Sequence, residues 1–171
     1  MRKSQLLVRL QTERDKWEQV LNYVGASRLG IGGVSGHWSV RDIVAHVMTQ
    51  EQYLADRLHE IQQGETLPAC QTQEEMDTFI EDFGYPDFES ALMSEETAND
   101  WVVNKYRNTP FKDLVVLELH AYDTVYATVK TLTEEQLNEN ILFARIARFT
   151  IHHYQHHTAD IRKRFKATIK R

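Results

Sequence analysis

The chain has 171 residues, 26% charged and 42% apolar, with a net charge of −5, a balance that excludes a disordered or fibrous chain and reads as one globular domain over residues 1–171. Only 7 glycines and 3 prolines are present, too few for the turns of a sandwich or barrel, so the expected fold is all-α. No apolar run is long enough to span a membrane and the first residues lack the apolar stretch of a secretory signal, so a cytoplasmic chain is expected.

Apolar spacing then sets the elements in order. Leu6, Leu7, Leu10, Trp17, Val20, Leu21 and Val24 recur at intervals of three and four, which predicts helix 1 over about residues 3–24. Residues 25–37 hold five of the seven glycines and read as a loop. Its Gly30-Ile31-Gly32-Gly33 run follows no strand and opens no βαβ unit, so it is not a dinucleotide loop. Ser39 is placed to cap helix 2, with Asp42 three residues on as a short capping-box partner and Trp38 positioned to staple onto Ile43. Val40, Ile43, Val44, Val47, Leu54, Leu58 and Ile61 carry that helix down to Gly64.

Residues 64–108 read as a long acidic crossover holding two short helices, near Glu74–Phe83 and Glu95–Arg107. Thr109-Pro110 predicts a cap with proline at the first helical position, opening helix 3 through Leu132. Thr133 with Gln136 reads as another capping box, leading to helix 4, whose main body is expected from about Ala144 to Ile169. Four long helices with a long crossover between helices 2 and 3 read as a four-helix bundle.

Charge is unevenly spread. Between Arg57 and Lys105 there is no Lys or Arg but there are twelve Asp and Glu, and the ten residues from Arg162 to Arg171 carry six basic side chains. This pattern reads as solvated faces and intramolecular or dimer contacts ahead of a nucleic-acid site.

Of eight histidines, four lie between His152 and His157, as two pairs of i,i+4 spacing. Either pair puts two imidazoles on one helix face, able to share a metal. Helical angle separates them. Ala147, Ile151, Tyr154, Thr158, Ile161 and Phe165 share one side, with His157 roughly 75° and His153 roughly 115° from its centre on one flank. His152 and His156 point away, toward solvent. His46 sits roughly 105° from the centre of its own stripe on helix 2, with Gln50 and Tyr53 on the same edge. Two flank histidines on one helix and one on another make a three-nitrogen site with a coordination position left for water or substrate. Zinc is the default ion for such a set, and nickel and iron(II) also accept imidazole. The alternative is partly exposed bundle histidines, or His46 hydrogen-bonded at a helix interface.

Other patterns carry less chemistry. Tyr154 and Gln155 follow His153, so the zinc-protease motif with its adjacent glutamate is absent. Glu118 falls within the apolar stripe of helix 3, where it either orients a ligand histidine or pairs with an arginine from another helix. The single cysteine, Cys70, makes no internal disulfide and no cysteine zinc cage, and it reads as incidental.

The segment Trp38-Ser39-Val40-Arg41-Asp42-Ile43-Val44-Ala45-His46 resembles the helix-2 signature of the DinB-like superfamily. His153-Tyr154-Gln155-His156-His157-Thr158-Ala159-Asp160-Ile161 resembles its helix-4 signature, two histidines four apart ahead of an acidic-Ile pair. Asn99-Asp100-Trp101-Val102, with Lys105 and Arg107, is similar to the ClbS/DfsB-like branch. The resemblance spans nearly the whole chain. It implies an up-down-down-up four-helix bundle in which His46, His153 and His157 hold a divalent metal.

Members of that superfamily include S-transferases that use low-molecular-weight thiols, such as mycothiol-dependent maleylpyruvate isomerase and bacillithiol transferases. One branch opens a cyclopropane warhead as a self-resistance hydrolase, and several members look like homodimers. The resemblance therefore implies a metal-dependent thiol S-transferase or hydrolase acting on a small electrophile, with Gln50 and Tyr53 as expected substrate contacts and Glu118 as an expected orienting residue. The alternative is a non-catalytic, dimeric small-molecule-binding or stress-response protein.

Overall fold

The computed structural model describes residues 2–166, all helical apart from turns and loops; among them no strand is formed. Helix α1 spans Lys3–Val24 and buries Leu6, Leu10, Trp17, Val20 and Val24 along one stripe. Helix α2 spans Val40–Gln62 and opens as its sequence dictates. The backbone amide of Asp42 donates to the Ser39 hydroxyl at 3.2 Å, and the Ser39 amide donates to the Asp42 carboxylate at 3.0 Å.

The acidic crossover folds into α3, Gln73–Phe83, and α4, Glu95–Lys105. Thr72 and Ser94 cap them through their hydroxyls, and Gly84 takes the left-handed backbone that ends α3. Helix α5 spans Phe111–Thr131. Its proline stands one position earlier than the sequence suggests: Pro110 is the N-cap, and no side chain caps the helix. The Thr109 carbonyl instead accepts from the guanidinium of Arg41, which also donates to Tyr106 O at 2.9 Å and so ties the start of α2 to the α4–α5 turn.

The expected fourth helix is two helices. The Thr133–Gln136 capping box opens only a short α6, Glu134–Asn138. Helix α7 then runs Leu142–Phe149 and α8 runs Ile151–Phe165. They are broken at Thr150, whose backbone leaves helical values (φ −129, ψ −84) while its hydroxyl donates to Ile146 O at 2.6 Å. The last part of the expected helix and of the basic end, residues 167–171, lies outside the described residues.

Asn140 and Ile141, just before α7, both sit in the left-handed region, at φ 48 and 54. Asparagine tolerates this; a β-branched residue does not, at a cost of order 1–3 kcal/mol.

In the packing, α2 lies chiefly along α5 and α1 along α8, with α4 against α2. Between them runs a continuous apolar core, including Trp17, Ile43, Leu54, Leu58, Val125, Phe149 and Tyr154. One polar cluster interrupts it. Arg14, Glu51, Glu118 and Tyr154 are all buried. Arg14 forms a bidentate pair with Glu118, and its Nη1 lies 3.3 Å from Glu51. The Tyr154 hydroxyl donates to Glu51 at 2.6 Å. Two carboxylates thus share one guanidinium. Burial first, then the charge of Glu118, pushes the Glu51 carboxyl well above its usual range. No helix of the described residues is long and apolar enough to cross a membrane.

Candidate metal centre

His46 lies on α2, seven residues after the Ser39 cap, and faces α8 near the break at Thr150. His153 and His157 come from the first two turns of α8. One nitrogen of each of the three rings falls within 4.8 Å of the other two. Nε2 of His153 and Nε2 of His46 approach to 2.6 Å, and the ring centroids of His46 stand 4.5 Å and 5.3 Å from those of His153 and His157. The trio favoured by helical angle is the one that meets, because angles within α8 do not depend on the break before it.

Burial controls the protonation of the cluster. His46 and His157 are buried, and His153 is partly exposed with its Nδ1 enclosed. Burial, reinforced by the nearby His157 and His156, pushes His46 down to about 3. Burial also lowers His157 to about 4, against the raising effect of Asp160. His153 moves in the same direction for the same first reason, with His46 second. All three are neutral at pH 7, the form that ligates metals. Nδ1 of each ring is enclosed and has no hydrogen-bond partner among the described residues. The nearest carboxylate to Nδ1 of His157 is Asp160, at 3.5 Å.

A cavity of about 310 Å³ opens onto the cluster. Trp38 forms one wall, its ring centroid 5.0 Å from that of His46. The opposite wall comes from α4, through Glu95, Glu96, Asn99 and Asp100. No Lys or Arg among the described residues lines it, so the wall facing the imidazoles is acidic.

The remaining sequence expectations fall differently. Glu118 engages Arg14 and accepts from Trp17 Nε1 at 3.3 Å, so of its two readings the arginine pairing is the one observed; it orients no histidine. Tyr53 is buried, donates to Asp87 at 2.6 Å, and lines a different cavity from the histidines. Gln50 is buried one turn beyond His46 and does not line the histidine cavity. Cys70 is buried, with burial and Asp87 raising its thiol to about 11. His152 is exposed, as its angle indicates. His156 is exposed as well, and it stands on the cavity rim, its centroid 4.9 Å from that of His157 and its Nε2 3.5 Å from Asp160. The α4 wall was readable only as a motif, Asn99-Asp100, whose position over the histidines depends on how the crossover folds back.

No family model matches the chain, and no curated protein matches it. Among solved structures, the chain is similar to the crystal structure of an uncharacterised protein from Escherichia coli UTI89. The two share 14% identity with a TM-score of 0.70, over 98% of this chain and 96% of that one. At that identity the likeness shows a shared fold.

Proposed function

We propose that the chain is a metal-dependent enzyme of the DinB-like type, a thiol S-transferase or hydrolase acting on a small electrophilic molecule, with an up-down-down-up four-helix bundle as its scaffold. The observation that carries this reading is the convergence of His46, His153 and His157 from two helices, all three neutral. Three neutral imidazoles suit zinc, nickel or iron(II), in that order of expectation. A divalent ion bound there supplies an open coordination position and lowers the pKa of a thiol or water.

The chain's own groups do the rest. His46, His153 and His157 hold the ion, and Asp160 stands where it biases the tautomer of His157. Trp38 closes one side of the cavity to water, while Asn99 and Asp100 offer polar contacts to a substrate on the other. The proposed setting is a cytoplasmic homodimer, and the small-molecule partners are a low-molecular-weight thiol and its electrophile.

The test is conjugation of a thiol panel with chlorodinitrobenzene. Product formation that a chelator abolishes and added metal restores supports the proposal. Ligand binding without product favours the non-catalytic reading and contradicts turnover.

A further inference from the structure

Helix α8 carries a second set of metal-ligating side chains, at the rim of the histidine cavity. His156, His157 and Asp160 each bring one ligand atom within 4.8 Å of the other two. Asp160 follows His157 by three residues and His156 by four, the spacings that make neighbours on a helix surface. Its Oδ2 stands 3.5 Å from Nε2 of His156 and 3.5 Å from Nδ1 of His157.

Those distances fit an ion better than a hydrogen bond. Zinc bonds of about 2.0–2.1 Å at tetrahedral angles put neighbouring ligand atoms about 3.4 Å apart. A surface ion pair would join Asp160 to one histidine at hydrogen-bond distance. Instead one carboxylate oxygen lies between two imidazole nitrogens and bonds neither. Oδ2 of Asp160 and Nδ1 of His157 are both enclosed, without a hydrogen-bond partner among the described residues. The His157 side chain is only 4% exposed, so its unpartnered nitrogen has no bulk water to turn to.

His157 belongs to both sets. Its Nδ1 faces Asp160, which leaves Nε2 for His46 and His153. We propose that Nε2 of His156, Nδ1 of His157 and the Asp160 carboxylate form a second divalent-metal site, for zinc. Two imidazoles and a carboxylate suit that ion, with a fourth position left for water. When the centre is filled, Nδ1 of His157 carries the ring's proton; the second ion takes its place and the proton leaves to solvent. When the centre is empty, the proton rests on Nε2 and Nδ1 ligates directly. The rim site thus stands on its own ligands. It is the weaker of the two, because His156 is 68% exposed and must be ordered, so it fills on added zinc after the centre.

Zinc titration of the chelator-stripped full chain, read by equilibrium dialysis and elemental analysis, tests this. The parent and His152→Ala should take up close to two ions per chain. His156→Ala and Asp160→Asn should each stop at one, and His46→Ala should keep one, at the rim. Position 156 is exposed, so a lost ion in His156→Ala is not a lost fold. Two ions in both the parent and His156→Ala overturn the proposal, as does a parent that binds none. A single ion that His46→Ala loses and His156→Ala keeps also overturns it, and leaves the centre standing. A single ion kept in His46→Ala and lost in His156→Ala upholds the rim site and contradicts the centre.

Discussion

Nε2 of His153 lies 2.6 Å from Nε2 of His46, although 107 residues separate them in the chain. The contact joins α8 to α2 at the point where the α7–α8 break redirects the chain. Two neutral imidazoles that close share one proton and leave both Nδ1 atoms enclosed without partners. The facing Nε2 atoms, with a nitrogen of His157 within 4.8 Å of both side chains' ligand atoms, form a set suited to ligation.

Among the described residues, Arg14 is the one cation between Glu118 and Glu51. Arg14→Met leaves two buried carboxyls without it, and should cost about 3–5 kcal/mol in denaturant unfolding. Adding Glu118→Gln should recover part of that loss. A single-variant cost below about 1 kcal/mol would contradict a shared-guanidinium cluster.

Glu51 gives the fold a pH dependence of defined sign. Its folded carboxyl keeps a proton that the unfolded chain releases above about 4.5, so the unfolded state binds fewer protons there. Stability should fall as pH rises above that point, until Glu51 ionises in the fold, by at most about 1.4 kcal/mol per pH unit. Glu51→Gln should flatten this slope when urea unfolding is followed from weakly acidic to weakly alkaline pH. An unchanged slope would show that Glu51 is ionised in the core.

Ile141 stores local strain. Ile141→Gly releases the left-handed β-branched backbone and should raise stability by about 1 kcal/mol, after the added unfolded-state freedom of glycine is subtracted. Thermal unfolding measures it, and a lowered midpoint would contradict the strain.

The long elements were legible because each signal was local. Leu6 to Val24 repeats with helical period and Ser39 with Asp42 forms the capping box that the sequence spells, so α1 and the start of α2 stand where expected. The trio His46, His153 and His157 was legible for the same reason, since each histidine's angle is set within one helix. The break at Thr150 was not, because threonine is an ordinary helix residue and only its backbone here departs from helical values. Tyr53 shares an edge with His46 on a helical wheel, yet lies two turns further along α2, where the crossover supplies it with Asp87 and Glu89. Glu118 sits on an apolar stripe because Arg14, 104 residues away, meets it there. Long-range pairings of that kind leave no periodic trace.

The central claim is that three histidines make one metal centre. Elemental analysis of untagged protein measures it directly, with His46→Ala and His152→Ala beside the parent chain. The account predicts close to one divalent metal per chain in the parent and in His152→Ala, and almost none in His46→Ala. A parent chain without metal, or a His46→Ala chain holding as much as the parent, would contradict it.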